Sequence, residues 1–214
     1  MKPYYQTENV RLWHGDCKEI IPRLKRFDVI VTDPPYGISH PTNYHARGRG
    51  KLARCNDYSN VVGDNKPFDP SHLIEHPCVL WGANYYADKL PPKSGWLVWD
   101  KIRPDELDQS TCELAWTSMV KGVRRVRLLW NGMMKGVDEK LVHPTQKPVA
   151  LMRWVLSLRW LQEYGVVLDP YAGSGSTLLA ALECNRKAIG IEIDEKYCEI
   201  IAKRLERGVW RNII

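Results

Sequence analysis

Residues 165–194 read GVVLDPYAGSGSTLLAALECNRKAIGIEID. The stretch opens on an apolar run, Gly165–Leu168, that is cut off at Asp169-Pro170. A glycine-bearing turn follows, then Ser176–Asn185 with helical composition. A second apolar run, Lys187–Ile193, is cut off at Asp194. Short, nearly continuous apolar runs are what strands look like in a parallel sheet covered on both faces. Strand and helix alternating in this way argue for an open α/β sheet.

Moving outward, the same pattern recurs. Phe27–Thr32 is an apolar run ending at Asp33-Pro34-Pro35, and Cys78–Gly82, Gly95–Asp100 and Val10–His14 are further strand candidates. Pro148–Tyr164 places Val149, Met152, Val155, Leu156 and Trp160 at helical spacing, with Pro148 suited to the first turn. Asp194–Arg207 starts on an acidic cap and stops at Gly208. Two polar segments, His40–Pro70 and Ile102–Lys140, are too long for ordinary connections. Within the second, Leu114–Ser118 and Arg125–Trp130 carry short strand signals. Long irregular segments on such a scaffold are candidates for facing a substrate.

Composition narrows the class. A chain of 214 residues with 44% hydrophobic and 26% charged content fits one globular domain, here read as residues 1–214. The net charge of +6 is compatible with a polyanionic partner. The six cysteines are dispersed with no CxxC pair, which argues against a zinc site and a disulfide scaffold, and no metal is expected. No apolar run approaches the roughly 18 residues of a membrane span, and MKPYYQTENV lacks a signal-peptide core. A cytoplasmic location is the expectation.

Asp33-Pro34-Pro35-Tyr36 stands at the carboxyl end of a strand, where open α/β sheets place their ligands. An exocyclic amine is a poor nucleophile because its lone pair is delocalised into the ring. A carboxylate accepting one N–H, with a rigidly held carbonyl accepting the other, draws the nitrogen toward tetrahedral geometry. Tyr36 offers a flat face on which an extruded base can stack. The plainer alternative is a strand-end turn capped by Asp33. The turn 169–177 is a second candidate site, because glycines let backbone amides approach a ligand at a helix N-terminus. It lacks the Lys of a phosphate-binding P-loop, and Leu178 replaces the third glycine of a dinucleotide fingerprint. Glu192 ends the next strand, where an acidic side chain commonly accepts from ribose hydroxyls. These residues indicate a nucleoside cofactor, with a nicotinamide dinucleotide and S-adenosylmethionine both open, and a simple helix cap as the bland reading. His143-Pro144-Thr145-Gln146-Lys147-Pro148 reads by itself as a proline-bracketed turn.

DPPY at 33–36, HPTQKP at 143–148, and DPYAGSGST at 169–177 followed by IGIE at 189–192, in this order, resemble the β-group of DNA amino-methyltransferases. The stretches WGANYYADKLPPKSGWLVWDK (81–101) and CELAWTS (112–118) are similar to small phage-encoded members. The resemblance runs from GDC at 15–17 to the final helix. It implies a circularly permuted class I methyltransferase fold, doubly wound with a mainly parallel seven-stranded sheet. It also implies methyl transfer from S-adenosylmethionine to the amine of a base flipped out of DNA. By that resemblance Asp33, Pro34, Pro35 and Tyr36 are catalytic. Asp16, Cys17, Thr145, Lys147, Asp169, Tyr171, Gly173, Gly175, Ser176, Thr177, Glu192 and Ile193 line the cofactor site. Within that set Glu192 is set against the ribose, Ile193 against the adenine ring, and Thr145 and Lys147 at the methionine end. Tyr171 stands for the family's usual Phe. Adenine N6 is the expected target, because the cytosine-N4 enzymes more often carry Ser at the position of Asp33. Cytosine N4, an RNA substrate and an inactive DNA-binding module are the alternatives.

Segments 37–75 and 102–140 are then candidate DNA-facing insertions. Arg47, Arg49, Lys51 and Arg54 in the first, and Lys121, Arg124, Arg125 and Arg127 in the second, are candidates for neutralising phosphates above Asp33. A solvated charged face is the alternative.

Overall fold

Nine strands form one sheet in the structure, a computed structural model that describes residues 2–40, 60–103, 110–130, 139 and 141–211. In chain order they are β1 (Tyr5–Gln6), β2 (Val10–His14), β3 (Val29–Thr32), β4 (Cys78–Trp81), β5 (Trp96–Asp100), β6 (Cys112–Thr117), β7 (Val123–Arg127), β8 (Val166–Asp169) and β9 (Lys187–Glu192). The helices are α1 (Cys17–Ile20), α2 (Val149–Ser157), α3 (Ser176–Glu183) and α4 (Glu195–Arg211). Across the sheet the order is β1-β2-β9-β8-β3-β4-β6-β5-β7. β2, β9, β8, β3 and β4 are parallel neighbours, β6 runs against both β4 and β5, and β7 is parallel to β5.

The doubly wound, mainly parallel sheet follows the sequence reading, but it has nine described strands where seven were expected. The additions are a two-residue edge pairing by β1 and the polar edge strand β7, both too short or too charged to read as core strands.

The apolar runs are continuous because both faces are covered. Val29 and Val31 of β3 pack into the cluster that holds Leu151, Val155, Leu178 and Ile201 from α2, α3 and α4. Ile30, between them, points to the opposite cluster with Cys17 and Ile20 of α1, Phe68, Leu73 and Tyr86. The helix expected over 148–164 stops at Ser157. Leu158 turns extended and Arg159–Leu161 forms a 3₁₀ turn. Arg186 donates to the Leu156 and Leu161 carbonyls at 2.8 and 2.7 Å, so the break leaves these end groups satisfied.

The strand order reverses between β8 and β3. From β8 the chain passes through α3 to β9 on one side, and from β3 it proceeds to β4 on the other. Such a switch point opens a crevice outside the carboxyl ends of the two strands. Asp33 and Asp169 stand there side by side, and Thr32 Oγ1 donates to Asp169 Oδ1 at 2.6 Å across the gap.

Candidate active site

Asp33 follows β3, and its two oxygens are taken by side chains. Tyr36 donates its hydroxyl hydrogen to Oδ1. The Lys147 ammonium donates to Oδ2 at 2.6 Å and to the Tyr36 hydroxyl at 3.0 Å. Lys147 also lies 3.1 Å from Glu113 Oε2, while Lys101 pairs with Glu113 Oε1 at 2.5 Å. These groups come from distant parts of the chain, yet topology explains their meeting. β3, β4 and β5 all point their carboxyl ends at the crevice, which delivers Asp33 and Lys101. β6 runs the other way and therefore delivers its first residues, including Glu113.

The electrostatics follow from burial and pairing. Burial raises the Asp33 carboxyl above its ordinary value, and Lys147 pulls against it. Burial also works against charge on Glu113, but Lys147 and Lys101 overcome it and hold that carboxyl at about 2. Burial disfavours the Lys147 ammonium, and the two carboxylates more than compensate, keeping it protonated.

The loop after Asp33 is fixed by Asp64, which is 6% exposed. Its Oδ1 accepts from the amides of Tyr36, Gly37 and Ile38 at 3.0, 2.9 and 3.3 Å, and Oδ2 accepts from His40 at 2.6 Å. One carboxylate thus holds four consecutive-region amides in place. Tyr36 stacks on Tyr85, with ring centroids 5.0 Å apart and planes 16° apart, and Tyr85 is 50% exposed. Gly82, with φ +69°, makes room for this pair, since a Cβ there would lie 1.9 Å from the Tyr36 ring.

Across the switch point, Glu192 ends β9 and is buried. Its Oε2 accepts from the Gly173 amide at 2.7 Å and Oε1 from the Asp194 amide at 2.9 Å. Burial raises Glu192 to about 7, and burial raises Asp169 to about 6 against the opposing bond from Thr32. Gly173 has φ +51°, and a Cβ at this position would stand 3.7 Å from the His143 ring. His143 is buried on Tyr197 at 4.5 Å, and burial lowers it to about 4, so the imidazole is neutral. The next residue after Glu192 is Ile193, an exposed apolar side chain beside a buried carboxylate. An apolar platform, a carboxylate and an open glycine turn suit the adenine, ribose and methionine parts of S-adenosylmethionine.

The family model for N6/N4 DNA methylases matches residues 82–203. The chain belongs to this DNA methylase family. It is a DNA amino-methyltransferase, with the motif order of the β-group, and S-adenosylmethionine is the cofactor of these enzymes. It is 25% identical over 251 residues to the type II methyltransferase M2.LlaDCHI of Lactococcus lactis subsp. cremoris, covering 97% of this chain and 93% of that one. The methylase has the fold of M1.HpyAVI, solved as a complex with SAM, at TM-score 0.54, 24% identity and coverage of 91% and 99%. The cytosine-N4-specific PvuII DNA methyltransferase aligns at TM-score 0.61 and 16% identity, covering 94% and 88%.

The structure brings Asp33, Pro34, Pro35 and Tyr36 to the crevice with Asp169, Tyr171, Gly173, Gly175, Ser176 and Thr177 beside them. Thr145 stays near the glycine turn through its contact with His143, whose Nδ1 lies 3.2 Å from both Thr145 N and Oγ1. Lys147, expected at the methionine end, instead spends its ammonium on Asp33, Tyr36 and Glu113. Asp16 caps α1 by accepting from the Lys18 amide at 2.8 Å. Cys17 turns its thiol inward, 3.9 Å from His72 Nε2, which in turn meets the Tyr171 hydroxyl at 3.0 Å. Lys121, Arg124, Arg125 and Arg127 lie on or before β7, four strands away from β3 rather than directly above Asp33. Of these only Arg127 reaches the crevice end, paired with Asp100 at 3.0 Å. Arg47, Arg49, Lys51 and Arg54 lie outside the described residues.

Sequence reading did not find Glu113, Lys101, Asp64, Tyr85 or His143. HPTQKP, read as a turn, is an anchored element. Glu139 accepts from Gln146 Nε2 at 2.7 Å and from the Val149 amide at 3.0 Å, and pairs with Arg204 of α4 at 2.7 Å. Among the described residues no helix is long and apolar enough to cross a membrane, and no group of three or more His, Cys, Asp or Glu could hold a metal ion.

Proposed function

We propose that the methylase modifies adenine N6 of a base extruded from DNA, with Asp33 and the Pro34 carbonyl as the two acceptors for the target amine. The observation that carries this reading is the carboxyl group of Asp33 at the switch-point end of β3 beside the glycine turn, paired with Lys147 and Tyr36. A carboxylate opposite the amine draws off N–H density as the nitrogen lone pair becomes available, which a hydroxyl at that position does less strongly. S-adenosylmethionine would supply the methyl group from its sulfonium, the electron pair of the broken bond staying on sulfur, while the amine would give up one N–H proton as its new bond to carbon forms.

The residues of the chain bind and orient. Glu192 accepts from the ribose hydroxyls, Ile193 supports the adenine ring, and Asp16 and Cys17 border that pocket. Asp169, Tyr171, Gly173, Gly175, Ser176 and Thr177 form the methionine end with Thr145. Tyr36 offers a ring face to the target base, for which Tyr85 has to part from it, since rings 5.0 Å apart leave no room for a third. On this reading the basic residues of segments 37–75 and 102–140 face DNA, while Phe68 and Leu73 of the first and β6 of the second pack into the core of the sheet. The type II names of the relatives support a place beside a restriction enzyme, and a cytoplasmic location belongs to the same proposal.

Nucleoside analysis of DNA methylated by the enzyme tests the target. N6-methyladenine is expected, and N4-methylcytosine as the sole product overturns the assignment.

A further inference from the structure

We propose that Glu113 is a positioning residue for methyl transfer, a second seat to which the Lys147 ammonium moves when the target amine engages Asp33. The inference rests on the reading of Asp33 as the amine's acceptor.

Both oxygens of Asp33 are engaged before any base arrives, Oδ1 by Tyr36 and Oδ2 by Lys147. A target amine seeking the carboxylate therefore meets an ammonium already in place. That ammonium also opposes the reaction itself. The nucleophilic nitrogen becomes more positive as its lone pair is shared with the incoming methyl group, and a fixed cation next to its acceptor repels that charge. Expelling Lys147 into a nonpolar surrounding would be worse, because a buried cation without a partner is costly.

Glu113 removes the difficulty. Its Oε2 is shut off from solvent and has no aligned hydrogen-bond donor among the described residues, yet the Lys147 Nζ is only 3.1 Å away. The contact is an ion pair whose hydrogen-bond alignment is unmade. A small rotation of the lysine head toward Glu113 makes that bond and releases Asp33 Oδ2. Lys101, 2.5 Å from Oε1 and 5.2 Å from the centre of the Trp99 ring, holds Glu113 from its other side. The two lysines and two carboxylates sum to zero charge in either arrangement, so the shift moves no net charge into the crevice.

The test uses the full chain with Glu113→Gln, Glu113→Asp and Lys101→Met, assayed for kcat, KM and pH profile at saturating S-adenosylmethionine. The charged and titratable groups facing Asp33 are Lys147, Glu113 and Asp169, with the neutral phenols of Tyr36 and Tyr86. Without Glu113, Lys147 is confined to Asp33. Glu113→Gln should lower kcat roughly 10- to 100-fold with little change in KM for DNA. Its acid limb should move to lower pH by roughly one unit, because Asp33 then keeps the ammonium and loses a like charge. Lys101→Met removes a cation from the cluster and leaves the Glu113 charge less neutralised, so the limb should move the opposite way. Glu113→Asp should restore part of the lost kcat. Calorimetric titration with S-adenosylmethionine should give wild-type affinity in Glu113→Gln, which also shows that the variant is folded. If Glu113→Gln does not fold, the Lys101→Met limb decides. Wild-type kcat in folded Glu113→Gln, or limbs that shift the same way in both variants, overturns the proposal. An active Asp33→Asn enzyme overturns the reading beneath it, whatever Glu113 does.

Discussion

At the end of β9, Glu192 is held by two backbone amides, those of Gly173 and Asp194. At the end of β3, Asp33 is held by two side chains, Tyr36 and Lys147. The first arrangement is local, closing within the stretch from β8 to the start of α4. The second gathers Asp33, Tyr36, Lys101, Glu113 and Lys147 from four separate parts of the chain. Backbone amides cannot turn away, so the Glu192 end is a fixed receptacle. Side-chain donors can swing, so the Asp33 end can exchange its partners for a substrate. The difference suits a pocket that keeps one shape for a cofactor beside one that must admit and release a base.

Removing the mobile end's carboxylate should have the largest effect. Asp33→Ala is expected to lower turnover by at least about 100-fold while leaving cofactor affinity near wild type. Retained activity in a methyl-transfer assay would reduce Asp33 to a turn cap and erase the contrast between the two ends.

Next in size is the fixed end. Glu192→Ala should weaken S-adenosylmethionine binding by about 1.5–3 kcal/mol, the usual worth of hydrogen bonds to an ionised acceptor. Because burial holds Glu192 at about 7, its carboxylate is lost as pH falls through that value. Wild-type cofactor affinity should therefore fall from pH 8 to pH 6, and the dependence should flatten in Glu192→Gln. Stability runs the other way: the folded carboxyl binds its proton more tightly than the unfolded one. This group's contribution to stability therefore declines as pH rises from its ordinary value toward 7. Titrations across this range that show equal pH dependence in wild type and Glu192→Gln would separate Glu192 from the cofactor.

The loop after Asp33 is a smaller lever. Asp64→Ala leaves the amides of Tyr36, Gly37, Ile38 and His40 without their acceptor, at a cost of about 1–3 kcal/mol. A lowered melting temperature and a raised KM for DNA are expected, and a variant matching wild type in both would make the loop self-supporting.

Neutralising Arg124, Arg125 and Arg127 should have the smallest effect. If they touch phosphates, the slope of log affinity against log salt falls by about one unit per lost contact. Their place on the edge strand, with Arg127 already committed to Asp100, favours fewer contacts than three. An unchanged slope in the triple variant marks a solvated face.

The same contrast explains what the sequence disclosed. The β8–α3–β9 unit was legible because every signal in it is local: an apolar run, an acidic stop, glycines, a helix, a second run. Asp33 and Tyr36 were legible for the same reason. Glu113 was not, because it lies near the start of an antiparallel strand, and neither the strand signal at 114–118 nor the resemblance over 112–118 gives it a role. Only the sheet order shows that the start of β6 meets the ends of β3 and β5. Asp64 sits in a polar segment where nothing marks one aspartate above another until the backbone folds around it. The basic strand β7 was visible as charge, but its distance from Asp33 depends on β6 and β5 lying between β4 and it.

The bond from Thr32 to Asp169 acts as a spacer of fixed length between donor and acceptor. One residue before Asp33, Thr32 grips the first residue of the glycine turn at 2.6 Å. In-line displacement is intolerant of misalignment, with about 1 Å of error enough to cost roughly 100-fold in rate. Had each loop been anchored only within its own half, small motions of the halves would accumulate in the gap that the methyl group crosses. The crosslink at their common root ties the two loops to each other, so that less of any movement of the outer sheet should reach the gap between the reacting atoms.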